Sequence, residues 1–355
     1  MPISRRTEAA TPARTGAEVS AAGVRHGGRT PRARTPRLPA SLPPLLGGNG
    51  AGEGPYEDGG PPSWPVPLEP ERRSLQRSQS ARSLLLTVLG EYVLRRDGTV
   101  WTSTLLEALA LFGVEDKAAR QALARAAKAG WLESERVGRE ARWHLTDRGR
   151  ILLAEGSGRI YAFDPTRQDW DGKWLVLVIS IPEERRADRH VLRTRLAWAG
   201  FGSLGQGVWL SPDTRRQVVV KSIFEGLAPP SRLVCFLAEL GELGDAAGVV
   251  QDAWDLVELE RRYRAFITEF AADAETDPSL AFTVNTRIVH EWRKFPFTDP
   301  GLPTSLLPSC WPGQRAHVLF QELHSELVAD AGAWFEEAER RAARRHERRG
   351  SRGTS

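Results

Sequence analysis

Three observations make this an α+β chain. Residues 80 to 160 carry apolar residues in the order helix, short strand, two helices, strand, turn, strand. From Lys173 to Ile181 the chain is almost continuously apolar, the pattern of a buried strand, and charged helices and further strands alternate up to about 246. From about 250 to 338 helical spacing dominates. Three folded pieces are therefore expected: 80–160, 168–246 and 250–338. They lie between a tail at 1–79 and a basic tail at 339–355.

The tail at 1–79 is rich in Pro, Gly, Ala, Ser and Arg and has too little apolar surface to offset its conformational entropy, so it reads as disordered. It is either a basic arm, a linker, or upstream sequence. Its eleven arginines against seven acidic residues account for the chain's whole net charge of +4. Overall basicity is therefore weak evidence for a nucleic-acid partner, and local charge has to carry that argument.

Ordered structure is expected from Ser80. Ala81 to Arg96 places Leu84, Leu85, Val88, Leu89, Tyr92 and Val93 at helical spacing. Val100-Trp101 is a short extended piece. Thr104 with Glu107 resembles a capping box for a second helix that ends near Gly113. A third helix spans about Glu115 to Ala129, and two short strands flank Gly138-Arg139-Glu140. This order is the winged helix-turn-helix pattern.

The third helix is the most informative segment. Lys117, Arg120, Gln121, Ala124, Arg125 and Lys128 fall at i, i+3, i+4, i+7, i+8 and i+11, which is one helix face. Ala119, Ala122, Leu123, Ala126 and Ala127 form an opposite face of small apolar side chains. A recognition helix needs one face for packing and one for the major groove of double-stranded DNA. Arg pairs with guanine, Gln with adenine, and Lys with phosphate. Arg136, Arg139 and Arg142 place further positive charge on the hairpin. A solvated helix face is the alternative, and the strand–helix order together with the one-sided charge favours DNA.

In the middle, strands are expected at Lys173–Ile181, Gly207–Leu210 and Arg232–Ala238, with helices at about 183–198 and 215–227. This is the start of a ferredoxin-like α/β domain. Beyond it, helices are expected at about 252–272, 278–294 and 314–346, with a five-proline loop from Pro296 to Gly313. Arg287, His290 and Arg293 fall at i, i+3 and i+6, near Asp299. They suit either the phosphates of a CoA thioester or a polar network between domains.

Composition excludes other classes. Hydrophobic residues make up 41% and charged residues 26%, ordinary for a globular protein. Two cysteines, Cys235 and Cys310, build neither a disulfide framework nor a zinc ribbon, and a reducing, cytoplasmic compartment fits them. Cys310, beside Trp311, is expected to pack. No apolar run reaches the roughly 20 residues of a membrane span, and no cofactor or metal site is suggested.

The residues also resemble a known family. Arg120-Gln-Ala-Leu-Ala-Arg125, Gly130-Trp-Leu132 and Arg136-Val-Gly-Arg139, followed by Trp170-Asp-Gly-Lys-Trp174, Val208-Trp-Leu-Ser-Pro212, Arg287-Ile-Val-His290, Asp299-Pro-Gly-Leu-Pro303 and Trp311-Pro-Gly313, resemble the PaaX family, repressors of phenylacetic acid degradation operons. The resemblance covers about residues 80–335. It implies a homodimer on a partly palindromic operator, released by an acyl-CoA such as phenylacetyl-CoA. The central segment is also similar to small CRISPR-associated ferredoxin-like endonucleases, but Ser180 stands where those enzymes carry a metal-holding aspartate. A metal-dependent nuclease is thereby disfavoured. A CoA-thioester-acting enzyme built on His290 is disfavoured too, because no nucleophile motif accompanies it. A DNA-binding protein without an effector is the remaining alternative.

Overall fold

The computed structural model describes residues 80–351, apart from residue 139, residues 166–168 and residues 272–279. The tail at 1–79 and Arg139 lie outside the described residues. All that is described belongs to one unit, Glu57–Ser355, and it is mixed helix and sheet with a helical C-terminal part.

Helix α1 (Ala81–Val88) starts at Ser80, whose hydroxyl accepts from the Ser83 amide at 3.2 Å. The chain then widens into a π-helical turn, Leu89–Val93, where sequence spacing predicts ordinary helix. Strand β1 (Thr99–Trp101), helix α2 (Thr102–Ala110), helix α3 (Asp116–Lys128), and strands β2 (Leu132–Val137) and β3 (Glu140–Leu145) follow. The strands pair antiparallel in the order β1-β3-β2. Ala119, Ala122, Leu123 and Ala126 of α3 are buried in the same core as Leu85 and Leu89, the short alanines letting the helices approach closely.

The expected capping box does not form. The cap position of α2 is Trp101, with no side-chain bond. Thr104 sits inside the helix and donates its hydroxyl to Glu339 Oε2 at 2.6 Å. A real cap occurs at helix α4 (Asp147–Tyr161), where Thr146 Oγ1 accepts from Gly149 N at 3.0 Å. Gly149 must be glycine: a Cβ there would lie 2.1 Å from the carbonyl oxygen of Trp131.

The middle segment forms a four-stranded antiparallel sheet in the order β5-β6-β4-β7. Its elements are β4 (Lys173–Ser180), α5 (Arg186–Trp198), β5 (Gly202–Gly205), β6 (Val208–Ser211), α6 (Val220–Ile223) and β7 (Arg232–Glu239). Strand β5 is absent from the sequence prediction because Gly-Ser-Leu-Gly carries neither alternation nor β-branched residues. The helix expected at 215–227 is a 3₁₀ stretch, Thr214–Val219, running into the single turn of α6. One face of β4 packs Leu175, Leu177 and Ile179 on Leu192, Leu196 and Ile223. The other packs Trp174 near Val250, Leu256, Leu302 and Leu306. Burial on both faces is why the strand reads as a continuous apolar run. Edge strand β7 is exposed along most of its length.

The helix expected at 252–272 is two helices, α7 (Ala246–Ala253) and α8 (Leu256–Phe270), separated at Trp254 and restarted by the carboxylate of Asp255, which accepts from Glu258 N at 3.0 Å. Helices α9 (Ala281–Trp292) and α10 (Gly313–Ser351) complete the chain. Trp292 is fully buried, its ring 4.7 Å from Phe320 and within 10° of parallel. Burying such a ring contributes about 3 kcal/mol. Helices α8, α9 and α10 share one core with α1 and α3, so the first and last parts of the chain are packed together.

Two further expectations fail. Cys310 does not pack: it is exposed, with φ of 64°. The basic stretch expected as a tail from 339 is instead helical as far as Ser351. Helix α10 continues to Ser351 and lies against the N-terminal part. No helix among the described residues is long and apolar enough to cross a membrane.

Candidate nucleic-acid interface and the seam behind it

Lys117, Arg120, Gln121, Ala124, Arg125 and Lys128 are all exposed, while Ala119, Ala122, Leu123 and Ala126 on the other side of α3 are buried. Arg120 lies 3.6 Å from Asp116, an exposed pair worth only tenths of a kcal/mol. The basic row is therefore held in place by the helix it sits on and stays open to a partner.

The hairpin presents Arg136, which is exposed and donates to the local carbonyl of Gly138 at 3.3 Å. Arg142 differs. It donates to Thr99 Oγ1 at 2.8 Å, lies 3.8 Å from Asp97, and stacks over Trp101 with 5.7 Å to the ring centre. Its charge braces β1 against β3. Ser180, at the end of β4, is exposed, and its carbonyl accepts from Ser231 N and Oγ, each at 2.9 Å.

Elsewhere in the same core, α9 is bonded to α1. His290 Nδ1 lies 2.9 Å from Thr87 Oγ1, and Arg293 donates to the same hydroxyl at 3.0 Å and to Ser83 O at 2.9 Å. Tyr92 shares a hydrogen bond with Thr286 Oγ1 at 2.9 Å and accepts from Asn285 Nδ2 at 3.0 Å. Burial, aided by the charge of Arg293, pushes His290 down to about 3, so it is neutral at pH 7. Burial also lowers Arg293 to about 10. Arg287 points elsewhere, 2.8 Å from Glu269 and over the Phe270 ring. Of the three candidate effector residues, Arg287 and His290 lie on α9 and Arg293 caps it, but they do not converge on one opening.

Asp299 accepts from Tyr263 Oη at 2.5 Å and from Gly301 N at 2.6 Å, which ties the proline-rich loop to α8. A cavity lies beside the seam, lined in part by Thr87, Glu91, Ser157, Tyr161 and Arg293. Its volume of about 30 Å³ has room for a water or two and not for a CoA thioester.

Sequence reading missed the group that lines this cavity. Glu91, in the π-helical turn, accepts from Tyr161 and lies 3.0 Å from His324 Nε2 and 3.5 Å from Arg95. Burial alone would raise its pKa, but the His324 bond and the Arg95 charge outweigh it and hold the carboxyl low. A signal existed. Glu91 falls three residues after Val88, and His324 falls between Phe320 and Leu327, so both are ionisable residues at buried spacing on apolar faces.

The comparisons with known proteins agree along the chain. Three family models match in order: PaaX-like protein at 80–149, PaaX protein central Cas2-like domain at 167–250, and PaaX-like protein C-terminal domain at 254–337. The chain thus has the three-part make-up of PaaX-like proteins. The transcriptional repressor PaaX of Escherichia coli (strain K12) is 30% identical over 271 residues, 73% of this chain and 84% of that protein. The uncharacterized protein Rv0674 from Mycobacterium tuberculosis has a solved structure that superposes with a TM-score of 0.51 at 25% identity, covering 72% of this chain and 98% of that one. This chain belongs to the PaaX family.

Proposed function

We propose that this chain is a transcriptional repressor that binds operator DNA as a homodimer, controls a phenylacetate-type aromatic-catabolic operon, and is released by an aryl-acetyl-CoA such as phenylacetyl-CoA. Its N-terminal part acts as a winged helix, with α3 in the major groove and the β2–β3 hairpin as the wing. The observation that carries this reading is the face of α3: six groove-directed positions exposed, four opposite positions buried. Arg120, Gln121 and Arg125 read bases. Lys117 and Lys128 hold phosphate, Ala124 allows close approach, and Arg136 and Arg139 contact the backbone from the wing. Arg142 positions the wing through Trp101.

The central sheet provides the dimer contact. Among the described residues, strand β7 leaves its outer edge unpaired and exposes Leu233, Val234, Phe236 and Leu237, a surface that a second copy would cover. The effector acts through α9. Loosening the bonds of His290 to Thr87, and of Arg293 to Thr87 and the Ser83 carbonyl, would free α1 from α9.

The test is retardation of the chain's own promoter fragment over competitor DNA at physiological salt. Arg120→Ala and Arg125→Ala are each expected to weaken specific binding by about 1 to 3 kcal/mol. No retardation refutes the DNA reading. Unchanged affinity in both variants refutes the face. Retention of DNA in the presence of phenylacetyl-CoA refutes the effector alone.

A further inference from the structure

The family match stops at residue 337, but α10 runs on to Ser351. Those added turns are fastened to the N-terminal part at several points. Glu339 accepts from Trp101 N at 3.2 Å and from Thr104 at 2.6 Å. Arg341 donates to Glu107 at 2.5 Å, and Arg345 lies 3.8 Å from the same carboxylate. His346 stacks on Trp101, with ring centres 4.9 Å apart.

The extension also reaches the hairpin turn. A Cβ on Gly138 would lie 3.1 Å from His346 Cε1. The start of α2 meets the hairpin at the same place: Thr102 Oγ1 donates to Ala141 O at 2.8 Å, and Ser103 Oγ donates to Glu140 Oε2 at 3.2 Å. The end of α10, the start of α2 and the tip of the hairpin therefore converge.

The contacts named above use Glu339, Arg341, Arg345 and His346. Arg344 and Arg348, one turn apart on a single stripe, are exposed, as is Arg345. Exposed guanidinium groups are thus carried on the same helical turns whose Glu339, Arg341 and His346 meet β1, α2 and the hairpin turn.

We propose that the C-terminal end of α10 is a second DNA contact, in which Arg344 and Arg348 grip the phosphodiester backbone next to the wing. It rests on the winged-helix reading above. The contact is to phosphate, so it adds affinity without sequence preference.

The experiment measures binding of the full-length chain to operator and to random duplex across a salt series, for wild type and for Arg344→Gln/Arg348→Gln. Two lost phosphate contacts make the slope of log K against log salt shallower by about 2 and weaken binding about 30-fold at 0.15 M salt, equally on both duplexes. A charge-matched control, Arg261→Gln/Arg264→Gln, sits on α8, whose Tyr263 packs on Trp311 beside the start of α10. That end is about 45 Å along the helix axis from Arg344, and the control is expected to bind as wild type. Ethylation interference with the wild-type chain is expected to mark phosphates flanking the wing's footprint.

A wild-type salt slope in the double variant overturns the proposal. So does an equal loss in the control, or a loss confined to the operator. Failure of the wild-type chain to bind any duplex sinks the winged-helix reading and this one with it, and is recognised because the wild type itself is silent.

Discussion

Lowering the pH should unlock the seam between α1 and α9 through one residue. His290 is 2% exposed, and its pKa falls from 6.5 to about 3 on folding. The unfolded chain therefore binds a proton below pH 6.5 that the folded chain refuses until about pH 3. Between those values the unfolded state holds one more proton, so stability falls as pH falls, by about 1.4 kcal/mol per unit. Between pH 7.5 and pH 5 the loss integrates to about 2 kcal/mol. Other groups titrate over the same range, so the comparison is with His290→Gln, which keeps a polar side chain beside Thr87 and does not titrate. The assay is urea unfolding followed by tryptophan fluorescence at both pH values. Wild type should lose about 2 kcal/mol more than the variant. Parallel losses would refute the assignment of a buried neutral imidazole to the seam.

Other substitutions test neighbouring parts of the fold. Thr104→Val keeps the side-chain volume but removes the bond to the Glu339 carboxylate, and should lower stability by about 1.5 to 3 kcal/mol in the same assay. Gly149→Ala drives a Cβ into the Trp131 carbonyl; a loss near 3 kcal/mol is expected from overpacking against backbone, and a thermal midpoint equal to wild type would contradict the close approach. Phe236→Lys/Leu237→Lys places charge on both faces of β7, and sedimentation should then show a single species of 39.3 kDa in place of the dimer proposed for wild type. A variant that still dimerises rules out β7 as the contact.

Sequence alone determined the parts that depend on local period. The one-sided face of α3, the buried strand β4 and the presence of helices after 250 all follow from side-chain spacing over a few turns, and the structure carries each of them. Spacing states which face is apolar; it does not state what covers that face. The tertiary structure alone decided that α1 packs on α9, that Thr104 serves Glu339 rather than its own helix end, that Glu91 meets His324 in a π-helical turn, and that the last turns of α10 reach the hairpin. Each of these contacts joins residues about 200 or more positions apart, and a hydrogen bond across such a separation leaves no periodic trace in either segment. Strand β5 and the break at Trp254 escaped for a related reason: pairing to β6 and capping by Asp255 outweigh weak local propensity. The basic face of α3 was legible because one helix encodes it, and the frame that holds that face was not, because the whole fold does.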